Sequence, residues 1–321
     1  MQKKSSQIIL GSSLVCLLAM SIAAYYFLDN RPLTDYVIAV RNQKMLAYIL
    51  VSMASVLATI TFQTVINNRF LTPSVLGLES LYVFLQTVYL FFFWQHLEKV
   101  GRNPLVEFLL VLGVQVCLFL VFQSLLSKLL KIDFTVLLLM AMALGTLFRS
   151  LSTFLQVLMD PNEYDKLMTR LFPTFQKFNS AILWLAIVIV MFCAIYLLSK
   201  RYLLDVLLLG DQSAITLGVD VFKVRNRMLL ITVLLTATVT ALVGPMMFFG
   251  FLIVNLTYRL VKDYRHHILF LYGTLIGSIL LICGQVLIER VFQFDINISM
   301  VIELFGGLLF FYLLWKERVK Q

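Results

Sequence analysis

The sequence predicts an all-α polytopic membrane protein of about ten transmembrane helices. Three observations predict it. Hydrophobic residues make up 61% of the chain and charged residues only 13%. Apolar runs of about 20 residues, the length needed to cross a bilayer as a helix, recur along the whole length. Those runs lack the strand-period alternation of an outer-membrane barrel, and the hydrocarbon core offers unpaired backbone amides no water to bond, which leaves helices as the workable way across.

Lys3 and Lys4 stand ahead of an apolar stretch from about Ile8 to Leu28. It is too long for a typical signal-peptide core and lacks a clear small-x-small cleavage site, so it reads as an uncleaved first span. The spans fall at roughly 7–28, 45–66, 74–95, 104–126, 134–158, 178–199, 227–244, 248–261, 267–288 and 299–315, the eighth being short for a full crossing. Their number turns on Gly244-Pro245, with Gly250 beyond, which either divides Met228–Leu260 or kinks a single helix. Lysine and arginine placement decides this, because cytoplasmic loops carry the excess. With ten spans and both ends inside, the cytoplasmic segments hold Lys3, Lys4, Arg69, Lys128, Lys131, Lys200, Arg201, Lys223, Arg225, Arg227, Arg259, Lys262, Arg265, Lys316, Arg318 and Lys320, 16 cations against nine outside. Ignoring the break moves six of these outward and Arg290 inward, leaving 11 inside and 14 outside. The charges therefore favour ten spans with both termini cytoplasmic. The net charge of +9 is accounted for by a basic rim facing anionic lipid and needs no nucleic-acid partner.

The remaining loops are short, so 1–321 reads as a single transmembrane domain with two longer connections. On the outer side, Met159–Lys177 is polar with an amphipathic middle and predicts a short surface helix at about 160–177. On the inner side, the segment at about 205–222 carries LGDQSAITLG, Leu209–Gly218, flanked by basic residues. Asp211 is placed to cap that run and Gly218 to end it, giving about two helical turns. Such a helix suits a groove on a soluble partner. A surface turn with no partner is the ordinary alternative.

No phosphate-binding loop of the G-x-x-x-x-G-K-[ST] type is present, so the chain does not bind nucleotide by that device. Cys16, Cys117, Cys193 and Cys283 all fall in apolar runs, where they read as small hydrophobes. His266 and His267 lie in a loop and His96 at a helix end, so no metal site is expected. No Ser-x-x-Lys pair, paired carboxylates or His-Glu-x-x-His run supports an enzyme.

Three blocks resemble the FecCD-type permease family, the membrane subunits of ABC importers for iron chelates and cobalamin. Arg41–Ser80, RNQKMLAYILVSMASVLATITFQTVINNRFLTPSVLGLES, is similar to the family's R-x-P-R opening, its helix ending in Gln, and its Asn-Pro-Leu-Ala-x-Pro-x-x-Leu-Gly loop. Gln63, Asn68, Pro73, Leu76 and Gly77 keep that pattern. Leu209–Val219 resembles the Leu-Gly-x-x-x-Ala-x-x-Leu-Gly element, and Gly244–Leu260 the Gly-Pro-Ile-x-Phe-x-Gly-Leu block. The departures are Gln43 and Lys44 in the opening, Arg69 to Leu71 in the loop, and Val254-Asn255 where the family has Pro-His. The Asn-Leu-Thr variant is similar to the branch serving catecholate-type or anguibactin-like siderophores, often as one of two non-identical permeases.

The resemblance implies a type II ABC importer permease fold in the bacterial cytoplasmic membrane, working as a dimer with an identical or related permease. It implies a cytoplasmic ATPase dimer that holds the ATP, no cofactor on this chain, and an extracytoplasmic siderophore-binding protein. Leu209, Gly210, Asp211, Gln212, Ser213, Ala214, Leu217 and Gly218 match the element that docks into the ATPase. On this reading Ala214 is small so that no bulk holds the helix off its partner, and Leu217 supplies the apolar anchor. Arg41, Lys44 and Arg290 match basic residues that receive acidic knobs on the binding protein, where charge raises association rate and fixes orientation. Cations snorkelling to the interface from helix ends are the ordinary alternative.

Ionisable residues within spans are costly and so are weighed separately. Arg149 lies well inside the fifth span, in a helix resembling the one that lines the family's central path. It is expected either to face that path and attract an anionic ferric chelate, or to pair with a carboxylate or sit near the outer water boundary. Glu79 and Glu303 read as bonding helix ends or the subunit interface. Met140 and Met142, with Met246 and Met247, are candidates for a soft path wall, although such methionines ordinarily pack. The rival to an ATP-driven transport subunit is a stand-alone secondary transporter driven by an ion gradient, which calls for inverted repeats and intramembrane acidic sites. Few carboxylates lie at mid-membrane depth here.

Overall fold

A computed structural model describes residues 2–27, 34–100, 103–129, 134–175, 179–292 and 297–318. The end of the first predicted span at Leu28 lies outside these residues, as do Arg31, Arg102, Lys131, Lys177 and Lys320 of the charge count. Helices follow in the order α1 (Gln2–Phe27), α2 (Asp35–Ile66), α3 (Leu78–Val100), α4 (Pro104–Leu129), α5 (Phe134–Val157), α6 (Pro161–Leu171), α7 (Ser180–Ser199), α8 (Arg201–Leu207), α9 (Asp211–Thr216), α10 (Val221–Val243), α11 (Phe249–Leu260), α12 (His266–Arg290) and α13 (Ile298–Arg318). A 3-10 turn, Pro73–Leu76, precedes α3. Among the described residues seven helices, α1, α2, α4, α5, α7, α10 and α12, are long and apolar enough to cross a membrane. Shorter apolar stretches at Leu78–Phe92, Phe249–Leu260 and Ile298–Tyr312 occupy the positions of the third, eighth and tenth predicted spans.

The spine is α2, whose side chains from Ala47 to Val65 are nearly all buried. It packs against α10, α12, α11 and α7. Lipid tails are as apolar as leucine, so helices in a bilayer associate through close backbone approach and not through a hydrophobic drive. Gly277 of α12 shows the closeness: a Cβ added there would lie 2.2 Å from Ser52 Oγ of α2. That Oγ in turn donates to the Thr274 carbonyl at 3.0 Å, tying the two helices together. Buried threonines of α10 are satisfied locally, with Thr232, Thr236, Thr238 and Thr240 donating to carbonyls four residues back. No polar side chain among those four needs water at that depth.

The Gly-Pro break does divide the chain. Gly244 takes φ 101°, a backbone that L side chains rarely adopt, and α10 ends there. The twelve residues of α11 span only about 18 Å at 1.5 Å per residue, short of the ~30 Å hydrocarbon core. The Val243 carbonyl, orphaned by the break, accepts from Thr174 N at 3.0 Å. The connection after α6 and the Gly-Pro break therefore share one end of the bundle. At the other end the 66–74 loop, α8 and the start of α12 meet through Gln63, Asp205 and His266. This is the pairing of loops that ten spans require.

Most helix ends differ from the expected spans by a few residues, and two departures are larger. The helix expected from residue 45 begins at Asp35, capped by Thr34, whose Oγ1 accepts from Val37 N at 3.5 Å. Polar residues on its first three turns hide it from an apolar-run reading. Helix α8 is an additional element, concealed because RYLLDVLLL continues the apolar run of α7 past Lys200.

One flank of the bundle is thinly covered. Helix α5 packs on α3 and the 3-10 turn alone among the more extensive contacts. Its seat depends on Gly77 and Gly145: a Cβ added to Gly77, which holds φ 72°, would lie 2.8 Å from the Gly145 Cα. The opposite face of α5 is left open by its own chain.

Candidate functional site

Two regions carry features that packing alone does not explain: a knob formed by α8 and α9, and the open face of α5. In the knob, Gly210 turns the chain with φ 92° between the two short helices. Gly218, at φ 79°, ends α9 in a Schellman arrangement, with Val219 N donating to Ala214 O at 3.0 Å and Gly218 N to Ile215 O at 2.9 Å. Asp211 does not cap α9 with its side chain as expected. Its carboxylate instead accepts from Arg225 of α10 at 2.8 Å, fastening the start of α9 to the helix that follows.

The expected role of Ala214 is reversed. Ala214 is fully buried, packed with Leu207 and Val221 of its own chain. Its smallness lets α9 lie close against α8 and α10; it does not present a flat surface to a partner. The large apolar side chains left outward are Leu209 at 62%, Ile215 at 63% and Leu217 at 62% exposure. Leu217 is exposed as an anchor must be, whereas Ile215 escaped the sequence reading because six residues of helix define no face until their neighbours are known. Gln212 and Ser213 are also exposed.

The base of the knob is tied into the core by His266, the first residue of α12. Asp205 of α8 accepts both the His266 backbone N–H at 3.0 Å and the ring Nδ1 at 2.5 Å. The other ring nitrogen, Nε2, meets Thr64 Oγ1 of α2 at 2.8 Å. His266 is fully buried. Burial alone pushes the Asp205 carboxyl up, but the His266 hydrogen bonds outweigh it and hold the group below the ordinary aspartate range. One side chain thus links α8, α2 and α12.

At the opposite end, the three expected docking cations are placed differently from one another. Arg41 is 7% exposed, donates to Tyr26 O at 2.8 Å and lies over the Tyr25 ring. It clamps the last turn of α1 to α2 and is not an exposed rim cation; the extension of α2 back to Asp35 turns it inward. Lys44, three residues on, is half-buried, and Arg290, the last residue of α12, is exposed.

The open face of α5 is apolar over much of its width, with Leu139, Leu147, Leu151, Phe154 and Val157 exposed, but it carries a polar stripe that lipid alone would not satisfy. At about 100° per residue, Thr146, Arg149, Ser150 and Thr153 fall on one stripe, and all four are exposed. Arg149 has no ion-pair or hydrogen-bond partner for its guanidinium among the described residues, carboxylates included. Together with Ser152, Thr153 and Gln156 it lines a cavity of about 410 Å³, closed on other sides by Glu79, Phe172, Met247 and Glu303. Met142, seven residues before Arg149, shares the stripe. Met140, nine residues before, projects from the opposite side of the helix, away from this cavity. The cavity methionines are Met168, Met247 and Met300, which come from three separate segments that only the fold brings together.

Comparison with known proteins agrees with this architecture. The model of the FecCD transport family matches residues 8–316. A petrobactin import system permease protein of Bacillus subtilis (strain 168), YclO, is 37% identical over 311 residues, covering 97% of this chain and 96% of that protein. A second one from Bacillus anthracis, FatC, is 31% identical over 313 residues, covering 95% and 88% respectively. Among solved structures, an inward-facing conformation of a metal-chelate type ABC transporter superposes with a TM-score of 0.81, covering 97% of this chain and 99% of that one at 22% identity.

Proposed function

The chain belongs to the FecCD transport family, and from that premise we propose that it is the permease subunit of an importer that carries a ferric siderophore into the bacterial cytoplasm. The observation that carries the reading is the stripe of Thr146, Arg149, Ser150 and Thr153 on α5. A polar stripe at bilayer depth that its own chain leaves open needs water or a partner. A second permease subunit packed beside it would enclose that face as a path, and Arg149 would draw an anionic chelate into it. Petrobactin, the substrate named for YclO and FatC, sets the class of cargo.

Power enters at the other end. Leu209, Ile215 and Leu217 form an apolar surface suited to a groove on a cytoplasmic ATPase, and the fastening through Asp205, His266 and Thr64 passes its displacement to α2 and α12. The knob end therefore faces the cytoplasm, as the lysine and arginine count also favours. Arg290 and Lys44 face an extracytoplasmic siderophore-binding protein. ATP is bound by the partner and no cofactor by this chain.

Co-purification from cells expressing a tagged chain tests this. The account expects an ATPase with a phosphate-binding loop and a second permease in the complex, with ATP hydrolysis stimulated by the loaded binding protein. Recovery of the chain without any ATPase contradicts it.

A further inference from the structure

We propose that the cavity beside Arg149 is a subsite for a chelate carrying both signs of charge. Arg149 meets its anionic iron-binding groups, and Glu79 and Glu303 receive an ammonium group on the same molecule. The proposal rests on the permease reading above and narrows its substrate class.

Three ionisable side chains from three helices line this one cavity: Glu79 from the first turn of α3, Arg149 from α5 and Glu303 from α13. Among the described residues no ion pair joins the arginine to either carboxylate. Charges kept at bilayer depth for structural purposes alone pair with one another, because an uncompensated one is costly. These stay apart. Glu79 is the more telling, being only 5% exposed. Its Oε1 receives a long bond from Ser74 Oγ at 3.4 Å, while Oε2 is buried with no hydrogen-bond partner. Glu303 is exposed to the cavity side.

An arginine alone would suit a purely anionic chelate, but such a ligand is repelled by the Glu303 carboxylate and leaves the buried Glu79 Oε2 without a bond. Both carboxylates become favourable when the ligand brings its own cation. A bare metal ion does not fit, since the described residues hold no group of three or more histidine, cysteine or carboxylate side chains placed to ligate one. About 410 Å³ lies within the usual range for small-molecule sites.

The test uses the complete importer in proteoliposomes, with its binding protein and ATP supplied. Two ferric catecholate chelates are compared, identical except that a linker amine is free in one and acetylated in the other. The quantity read is the ratio of their uptake rates, in which discrimination by the binding protein is common to every variant and cancels. Glu303→Gln is expected to lower the amine-to-acetyl ratio about tenfold, the loss of one charge-assisted hydrogen bond, and Glu79→Gln to do the same. Where Glu79→Gln does not assemble, Glu303→Gln and Glu79→Asp carry the comparison. An unchanged ratio in the glutamate variants overturns the proposal, as does an equal fall in uptake of both chelates, which marks a structural role. Wild-type importer that moves neither chelate on ATP overturns the permease reading itself, an outcome distinct from the other two.

Discussion

Replacing Ile215 and Leu217 together by serine removes two apolar side chains that α9 holds outward, and it leaves the buried seat of that helix intact. Each is more than three-fifths exposed in the free chain. Fully burying such a side chain contributes about 1.5–3 kcal/mol, so covering the share still exposed contributes about 1–2 kcal/mol per residue. The pair then accounts for about 2–4 kcal/mol of ATPase binding. At about 1.4 kcal/mol per tenfold, the double variant should bind the ATPase some 30-fold to several hundredfold more weakly. Titrating the ATPase onto permease immobilised in nanodiscs measures this directly, with ATP-dependent uptake read in parallel. The knob itself should survive, because Ala214, Leu207 and Val221 still pack beneath it. An affinity within about threefold of wild type would refute the assignment of this surface.

Other consequences follow from the same contacts. Ala214→Trp, which cannot fit a fully buried alanine position, should lift α9 from α8 and α10 and open 205–222 to limited proteolysis before any ATPase is added. Gly145→Ala would put a Cβ 3.0 Å from the Gly77 Cα; this overpacking should cost about 1–3 kcal/mol and lower the melting temperature in detergent. Asp205→Asn removes a carboxylate whose folded pKa lies below its unfolded value. The stability it contributes is fully present above the ordinary aspartate range and is lost as pH falls through the depressed value, so wild type and variant melting temperatures should differ at neutral pH and converge only in strong acid. Arg149→Gln should slow uptake of an anionic chelate by about tenfold, with Arg149→Lys restoring most of it; equal rates for all three would remove Arg149 from the path.

Much of this fold was legible from apolar length, because ten runs and one Gly-Pro break are properties of the chain itself. The loops could be sorted because lysine and arginine report sidedness independently of packing. What stayed hidden were directions. Arg41 was readable as a cation near a helix start, but its inward turn depends on ten further residues at the start of α2, 35–44, half of them polar, that no hydropathy window captures. Met140 and Met142 are equivalent by composition and separate only when the helix is given a face. Ala214 and Ile215 are neighbours whose roles exchange once α10 is in place. His266 and Asp205 lie 61 residues apart, so nothing local announced their bond, although an acidic residue in the otherwise apolar RYLLDVLLL was a signal that a buried partner waited elsewhere.

The central claim is that ATP hydrolysis on a separate subunit drives a ferric chelate through the path beside α5. Uptake of iron-labelled chelate into proteoliposomes holding the reconstituted complex, measured with ATP and no ion gradient and then with a proton or sodium gradient and no ATP, tests it most directly. The account predicts accumulation in the first condition alone, abolished when the Ile215 and Leu217 surface is made polar. Accumulation driven by the gradient without ATP would contradict it.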